Sequence, residues 1–262
     1  MHDLVLPLNS GRERLRGEGH EQGERVTGTR RTLWGAVATV AVLAVSACSA
    51  QSRATSPKEV RKLAGSAQAL HAREETESRL RGVVRAYADH TPLTLGMVVV
   101  RDTCLGGKAK QLFDSNGDDA YKIRCSMQVT AYYGAAPERI VSVLDGILAA
   151  GDHTGSGIPF THDANGTFVD RYRDHAGGLE ETELSIPWHT LSWDPVREHQ
   201  PHLMIQEPDA CPADDPPVIR CLREPEAQTV AALRKRYGMV FELDLIEPEY
   251  YRVSKKGHVY TH

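Results

Sequence analysis

Hydrophobic positions along the chain follow two periods, and their alternation predicts the elements. Leu80, Val83, Val84 and Tyr87 recur at helical spacing and form one apolar stripe. Upstream, Ser56-Pro57-Lys58-Glu59 supplies an N-cap, a proline at the first helical position and a Glu that closes a capping box. A helix is expected from Pro57 to about His90, interrupted near Gly65 and ended by Thr91-Pro92. Its first half is richer in Ala and charge and is expected to stand away from the body as a spacer. Residues 95–104 are apolar and β-branched, and 121–130 alternate with period two, so both read as strands. A second helix spans 137–150, with Ile140, Leu144, Ile147 and Leu148 on one side and Gly151 as its stop.

Residues 167–173 and 183–193 read as a hairpin turned through 174–178, with Pro187 marking an edge or a break in the second strand. Residues 194–224, rich in Pro, Asp and His, read as a long irregular excursion. A helix over 225–237, a strand over 239–246 and a last strand over 250–254 complete the chain. The order is roughly helix–strand–strand, repeated. It predicts an α+β fold, an antiparallel sheet with helices packed on one face.

Cysteine positions sharpen this. If Cys104 and Cys125 face each other across an antiparallel pair, Val100 opposes Val129 and Val98 opposes Ala131 on the cysteine face. On the other face Arg101 meets Gln128 and Thr103 meets Ser126. Apolar meets apolar and polar meets polar, as burial of one face requires. Asp102 opposite Met127 is the exception. Cys211–Cys221 closes the other short loop, so Cys104–Cys125 and Cys211–Cys221 are the expected disulfides, about 3 kcal/mol each in the chain-entropy model. No Cys pair has zinc-finger spacing.

The N-terminal region is of another kind. Arg30-Arg31 precede an apolar run from Leu33 to Val45 that ends in Val45-Ser46-Ala47-Cys48. A positive segment, a short apolar core and small residues at a cleavage point make a signal peptide, and the run is shorter than the roughly 20 residues a membrane-spanning helix needs. The segment resembles the lipobox of bacterial lipoprotein precursors, and the general build is similar to envelope lipoproteins of GC-rich Gram-positive bacteria. That resemblance implies lipidation of Cys48 and a lipid-anchored protein on the outer face of the cell membrane. It divides the chain into a disordered extension at 1–29, whose first residues are translated only if the start lies upstream of Val26, a signal peptide at 30–47, a tether at 48–56 and a domain at 57–262. Retention of the apolar run as an uncleaved anchor is the alternative.

Residues 1–47 hold six Arg and five acidic residues, so the remaining 215 carry 25 basic and 30 acidic side chains, a net charge of about −5. This argues against nucleic-acid binding and is the wrong sign for a polybasic membrane patch. No Gly-x-Ser-x-Gly, Ser-x-x-Lys, His-Glu-x-x-His or Gly-rich phosphate loop occurs, and no cofactor is expected. Asp114-Ser115-Asn116-Gly117-Asp118-Asp119 lacks the glycine and glutamate positions of a calcium loop and reads as a solvated turn. His153, His162, Asp163, Asp174 and His175 are the candidate metal ligands, set against their ordinary use as turn residues. Trp188 and Trp193 differ in parity, so one is a candidate exposed anchor for a partner. The expected function is non-catalytic binding of an envelope protein or ligand. The alternative is an envelope enzyme or metal-binding protein using the Asp/His-rich loops at 152–175.

Overall fold

A computed structural model describes residues 53–109, 120–175, 181–196, 202–211 and 219–262. The extension, the signal segment, Cys48 and the 114–119 turn lie outside them. No helix among the described residues is long and apolar enough to cross a membrane.

The fold is α+β. Strands β1 (Thr94–Gly106), β2 (Tyr121–Ala135), β3 (Glu183–Ile186), β4 (His189–Trp193), β5 (Ile219–Glu224), β6 (Met239–Ser254) and β7 (Val259–Thr261) form one antiparallel sheet. Their order is β3-β4-β6-β2-β1-β5, with β7 paired to β6. Helices α1 (Pro57–Ala64), α2 (Ala67–His90), α3 (Ile140–Gly151) and α4 (His162–Asp174) share one core with the cysteine face of the sheet.

The helix break expected near Gly65 separates α1 from α2. Ser56 and Ser66 cap the two helices by accepting from Glu59 N and Ala69 N. The expected spacer is instead packed: Val60, Ala64, Ala69 and Ala72 are all buried in the core. Small residues permit that close seat; alanine richness marked contact with the sheet, not distance from it.

The β1–β2 register matches the sequence expectation residue by residue, from Val98↔Ala131 through Asp102↔Met127 to Cys104↔Cys125. Both expected cysteine pairs stand at disulfide distance, with S–S 2.10 Å for Cys104–Cys125 and 1.93 Å for Cys211–Cys221. The exceptional Asp102 is fully buried beneath α2. Arg73 reaches it from that helix in a direct ion pair, and Tyr250 donates to its Oδ1 at 2.6 Å. Tyr250 Oη also lies 3.8 Å from Cys104 Sγ, joining the charge network to the disulfide.

Four expectations are corrected. Residues 167–173 are not a strand but the body of α4, started by Thr161 accepting from Ala164 N. Val169 and Tyr172 are buried on its inner side, and the Trp193 indole donates to Tyr172 Oη at 3.0 Å. The hairpin lies wholly within 183–193, where β3 and β4 turn at Pro187-Trp188. Residues 219–224 are not irregular; they add edge strand β5 against β1. The two strands expected at 239–246 and 250–254 are one strand, β6, with an irregularity in its pairing to β2 opposite Cys125–Met127.

Helix placement also differs for one element. Helix α5 (Val230–Tyr237) begins at Val230, not at Pro225, and packs on the other face against Met97, Val99, Tyr132 and Val240. Gly96 and Gly134 make room for it: a Cβ on either would fall within 2.2 Å of Leu233 or 2.1 Å of Tyr237. Buried Asp194 fixes the arrangement. It accepts from Arg234 Nε at 2.8 Å, from Val240 N at 2.8 Å and from Ile205 N at 2.9 Å, tying α5 and the 202–205 segment to the sheet.

Candidate functional site

The five sequence candidates for metal binding sit around α3 and α4, and the fold distributes them. His162 is the first residue of α4 and lies beside the end of α3. Its Nδ1 is 2.6 Å from Asp152 Oδ2, its backbone N–H donates to Asp152 Oδ1 at 3.0 Å, and its Nε2 is 3.4 Å from Asp145 Oδ1. Asp163 is in the same first turn, while Asp174 and His175 lie at the opposite end of the helix, roughly 17 Å away at 1.5 Å per residue. His175 Nδ1 faces the Arg171 carbonyl at 2.8 Å. His153 lies in the loop after α3. Among the described residues no group of three or more His, Cys, Asp or Glu side chains is placed to hold a metal.

Both imidazole nitrogens of His162 face carboxylates, so the doubly protonated ring satisfies both. The Asp152 hydrogen bond, opposed by a little burial, holds the His162 pKa above its ordinary value and that of Asp152 below the usual carboxylate range. The stabilisation from the raised imidazole is complete below about pH 6.5 and is lost as pH rises through its folded value. That from the depressed carboxylate is present above its unfolded value of about 4 and is lost as pH falls through the folded one. The clasp between α3 and α4 is therefore tightest from about pH 4 to 6.5. An NMR titration should show His162 protonating at higher pH in the wild type than in Asp152→Asn, where its strongest partner is gone. Identical titration of His162 in the two proteins would refute the clasp. His162→Ala should change stability by no more than the ~0.5 kcal/mol usual at exposed sites.

A cleft of about 830 Å3 opens between the end of α2 and the end of α3. Its apolar floor comes from Pro92, Gly146, Ala149 and Ala150, and its polar lining from Asp89, His90, His153 and Ser156. Gly146 keeps the two helices close, since a Cβ there would fall 2.7 Å from Pro92. The volume suits a small ligand. Two of its polar groups are already engaged: Thr91 Oγ1 accepts from Leu93 N and Ser156 Oγ accepts from Ile158 N.

The most perturbed histidine lies elsewhere. His189 begins β4, with Nε2 3.0 Å from Tyr87 Oη and the Phe160 ring edge-on at 5.4 Å. Burial lowers its pKa to about 4, so it is neutral near pH 7 and serves packing. Asp102, Asp194 and His189 thus all face groups within the fold.

The turn beside His189 is different. Pro187 and Trp188 form a two-residue connection between paired Ile186 and His189. Trp188 has φ 68°, the left-handed region, at the turn position that asks for Gly or Asn. Ile246 N donates to its carbonyl at 2.9 Å, which pins the turn to β6. The side chain is 59% exposed and Ile186 beside it 41%. Trp193, by contrast, is fully buried against Phe241 and Tyr172. The parity argument thus resolves with Trp188 outside.

Comparison with protein-family models, curated proteins and solved structures finds no match. Function must be read from these surfaces.

Proposed function

We propose that this chain is a lipid-anchored envelope protein, held to the outer face of the membrane through Cys48, that acts by binding another envelope protein. The observation that carries the binding reading is Trp188. An L-residue in the left-handed region costs about 1–2 kcal/mol, and a bulky apolar one in water gains nothing from packing in return. Tryptophan at an exposed, backbone-pinned turn is therefore a cost that an external contact offsets, and Trp is the residue type most enriched among dominant interface contacts. Its neighbour Ile186 and the end position of β3 in the sheet extend the same surface. The alternative, an envelope enzyme or metal-binding protein using the Asp/His-rich loops at 152–175, has as its support among the described residues the cleft that His153 lines.

The test separates stability from binding. Trp188→Gly should raise unfolding stability by about 1 kcal/mol, because glycine adopts this φ without strain, whereas Trp188→Ala should not. A photo-crosslinking residue at position 186, used in intact cells, should give a discrete adduct that Trp188→Gly removes. The same probe at exposed Leu70 on α2 is the control. Equal adducts from both sites, or an adduct indifferent to Trp188→Gly, would defeat the reading.

A further inference from the structure

Average charge conceals a segregation of lysines. Of the eight lysines in the chain, only Lys235 falls outside four short stretches at 58–62, 108–110, 122 and 255–256. The fold gathers their described residues, 58–62, 108, 122 and 255–256, at one end of the sheet. Thr55 N donates to the Gly107 carbonyl at 2.8 Å, Gly107 N to the Lys122 carbonyl at 3.0 Å, and Lys255 N to the Ala120 carbonyl at 3.0 Å. Lys255 Nζ donates to the Arg53 carbonyl at 2.9 Å. Between them lies a cavity of about 390 Å3 lined by Arg53, Thr55, Ser56, Glu59, Lys122 and Lys255, in which Glu59 is the single acid among the described lining residues. Lys58 and Lys62 on α1, Lys108 after β1 and Lys256 after β6 are exposed around it. Residues 110–119, with Lys110 and three aspartates, lie outside the described residues.

The position of this end is as informative as its charge. Arg53 follows Cys48 by five residues, so even a fully extended tether keeps the cavity within roughly 18 Å of the lipidated cysteine. Lys235 sits on α5, which packs over Gly96 and Gly134, at the opposite ends of β1 and β2. Ten residues of strand separate Gly96 from Gly106, roughly 33 Å. The lysine end is thus the one nearest the tether, whereas α5, which carries Arg234, Lys235 and Arg236, lies at the other end of the strands and away from it.

We propose that the Arg53–Lys122–Lys255 end of the domain is a docking surface for the anionic phospholipid headgroups of the membrane that carries the anchor. The proposal rests on lipidation at Cys48 and adds an orientation to it: the domain stands on its lysine end, with α5 away from the bilayer. Each basic group near an anionic surface contributes about 1 kcal/mol, roughly a fivefold effect, over a range set by the Debye length. A net charge of about −5 does not oppose this, because charges further than about 10 Å from the surface are screened.

The experiment uses the whole mature protein, extracted from membranes and reconstituted into vesicles of phosphatidylcholine alone or mixed with phosphatidylglycerol. Lysine acetylation is read residue by residue by mass spectrometry. On the anionic vesicles Lys122 and Lys255 should be modified about fivefold more slowly than on the neutral ones, Lys235 should be unchanged, and about 1 M salt should erase the difference. In Lys122→Gln/Lys255→Gln, protection of Lys58 and Lys256 should fall. Acylated protein that floats with both vesicles but shows equal lysine reactivity overturns the docking surface and leaves the anchor standing. Protein without acyl label that is still protected on anionic vesicles overturns the anchor and leaves the docking surface. Equal protection by inorganic phosphate without vesicles also overturns the proposal, since the site would then take a soluble anion.

Discussion

Asp102→Ala should destabilise the domain by about 3–5 kcal/mol, a large part of the total stability of an ordinary domain. Asp102 is fully buried and Arg73 nearly so, with side-chain exposures of 0% and 12%. Burial works against the Arg73 charge, but Asp102 and Tyr250 more than offset it, so the guanidinium pKa lies above its ordinary value. Removing the carboxylate leaves that cation in the core with no counter-charge and takes away the acceptor of the Tyr250 hydroxyl. Urea unfolding midpoints of wild type, Asp102→Ala and the double variant Arg73→Met/Asp102→Leu measure the two contributions. The double variant should recover most of the loss, because apolar replacement removes the desolvation cost of both charges. A loss below about 1 kcal/mol for Asp102→Ala would mean that water reaches the pair.

Cys104→Ala/Cys125→Ala should cost about 3 kcal/mol from loop entropy alone, for a bridge that closes 21 residues. Both sulfurs are fully buried in the main core, so the truncations also leave a cavity and remove the contact with Tyr250. Cys211→Ala/Cys221→Ala should cost less: Cys211 is exposed and the loop closes only 10 residues. Comparing denaturant midpoints of the two double variants, each non-reducing, decides the order. Equal losses would show that core packing around Cys104 contributes little.

The first prediction rests on a residue that the sequence marked. Asp102 was the one position where the β1–β2 register put a charge on the buried face, and that is where the buried ion pair sits. An exception to a strong alternation was therefore informative, but its partners were not legible: Arg73 is 29 positions before it and Tyr250 is 148 after, with no local pattern linking them. Asp194 follows the same logic. It looked like the start of an irregular excursion, whereas four donors from α5, β6 and the 202–205 segment converge on it.

Helix α4 was missed for a physical reason. Asn165, Gly166 and Thr167 are weak helix formers, and Thr167-Phe168-Val169 has β-branched and aromatic character. Packing of Val169 and Tyr172 on the core overrode that preference. The available signal was Thr161 as N-cap with Phe168, Val169 and Tyr172 at helical spacing. Strand β5 is not legible because its neighbours 212–218 are loop-like in composition and its pairing is with β1, more than a hundred residues away.

What the sequence determined by itself is what short range controls: the cap at Ser56, the helix break near Gly65, the helix stop at Thr91-Pro92, the period-two faces of β1 and β2, and through the cysteines their register. Local backbone preference and the alternation of a half-buried strand act within a few residues and leave their trace there. Tertiary structure alone decided which charges are buried together, which tryptophan is outside and where the lysines gather. Those outcomes depend on distant segments meeting, and the free energy of burying or exposing a group exists only once its neighbours are in place.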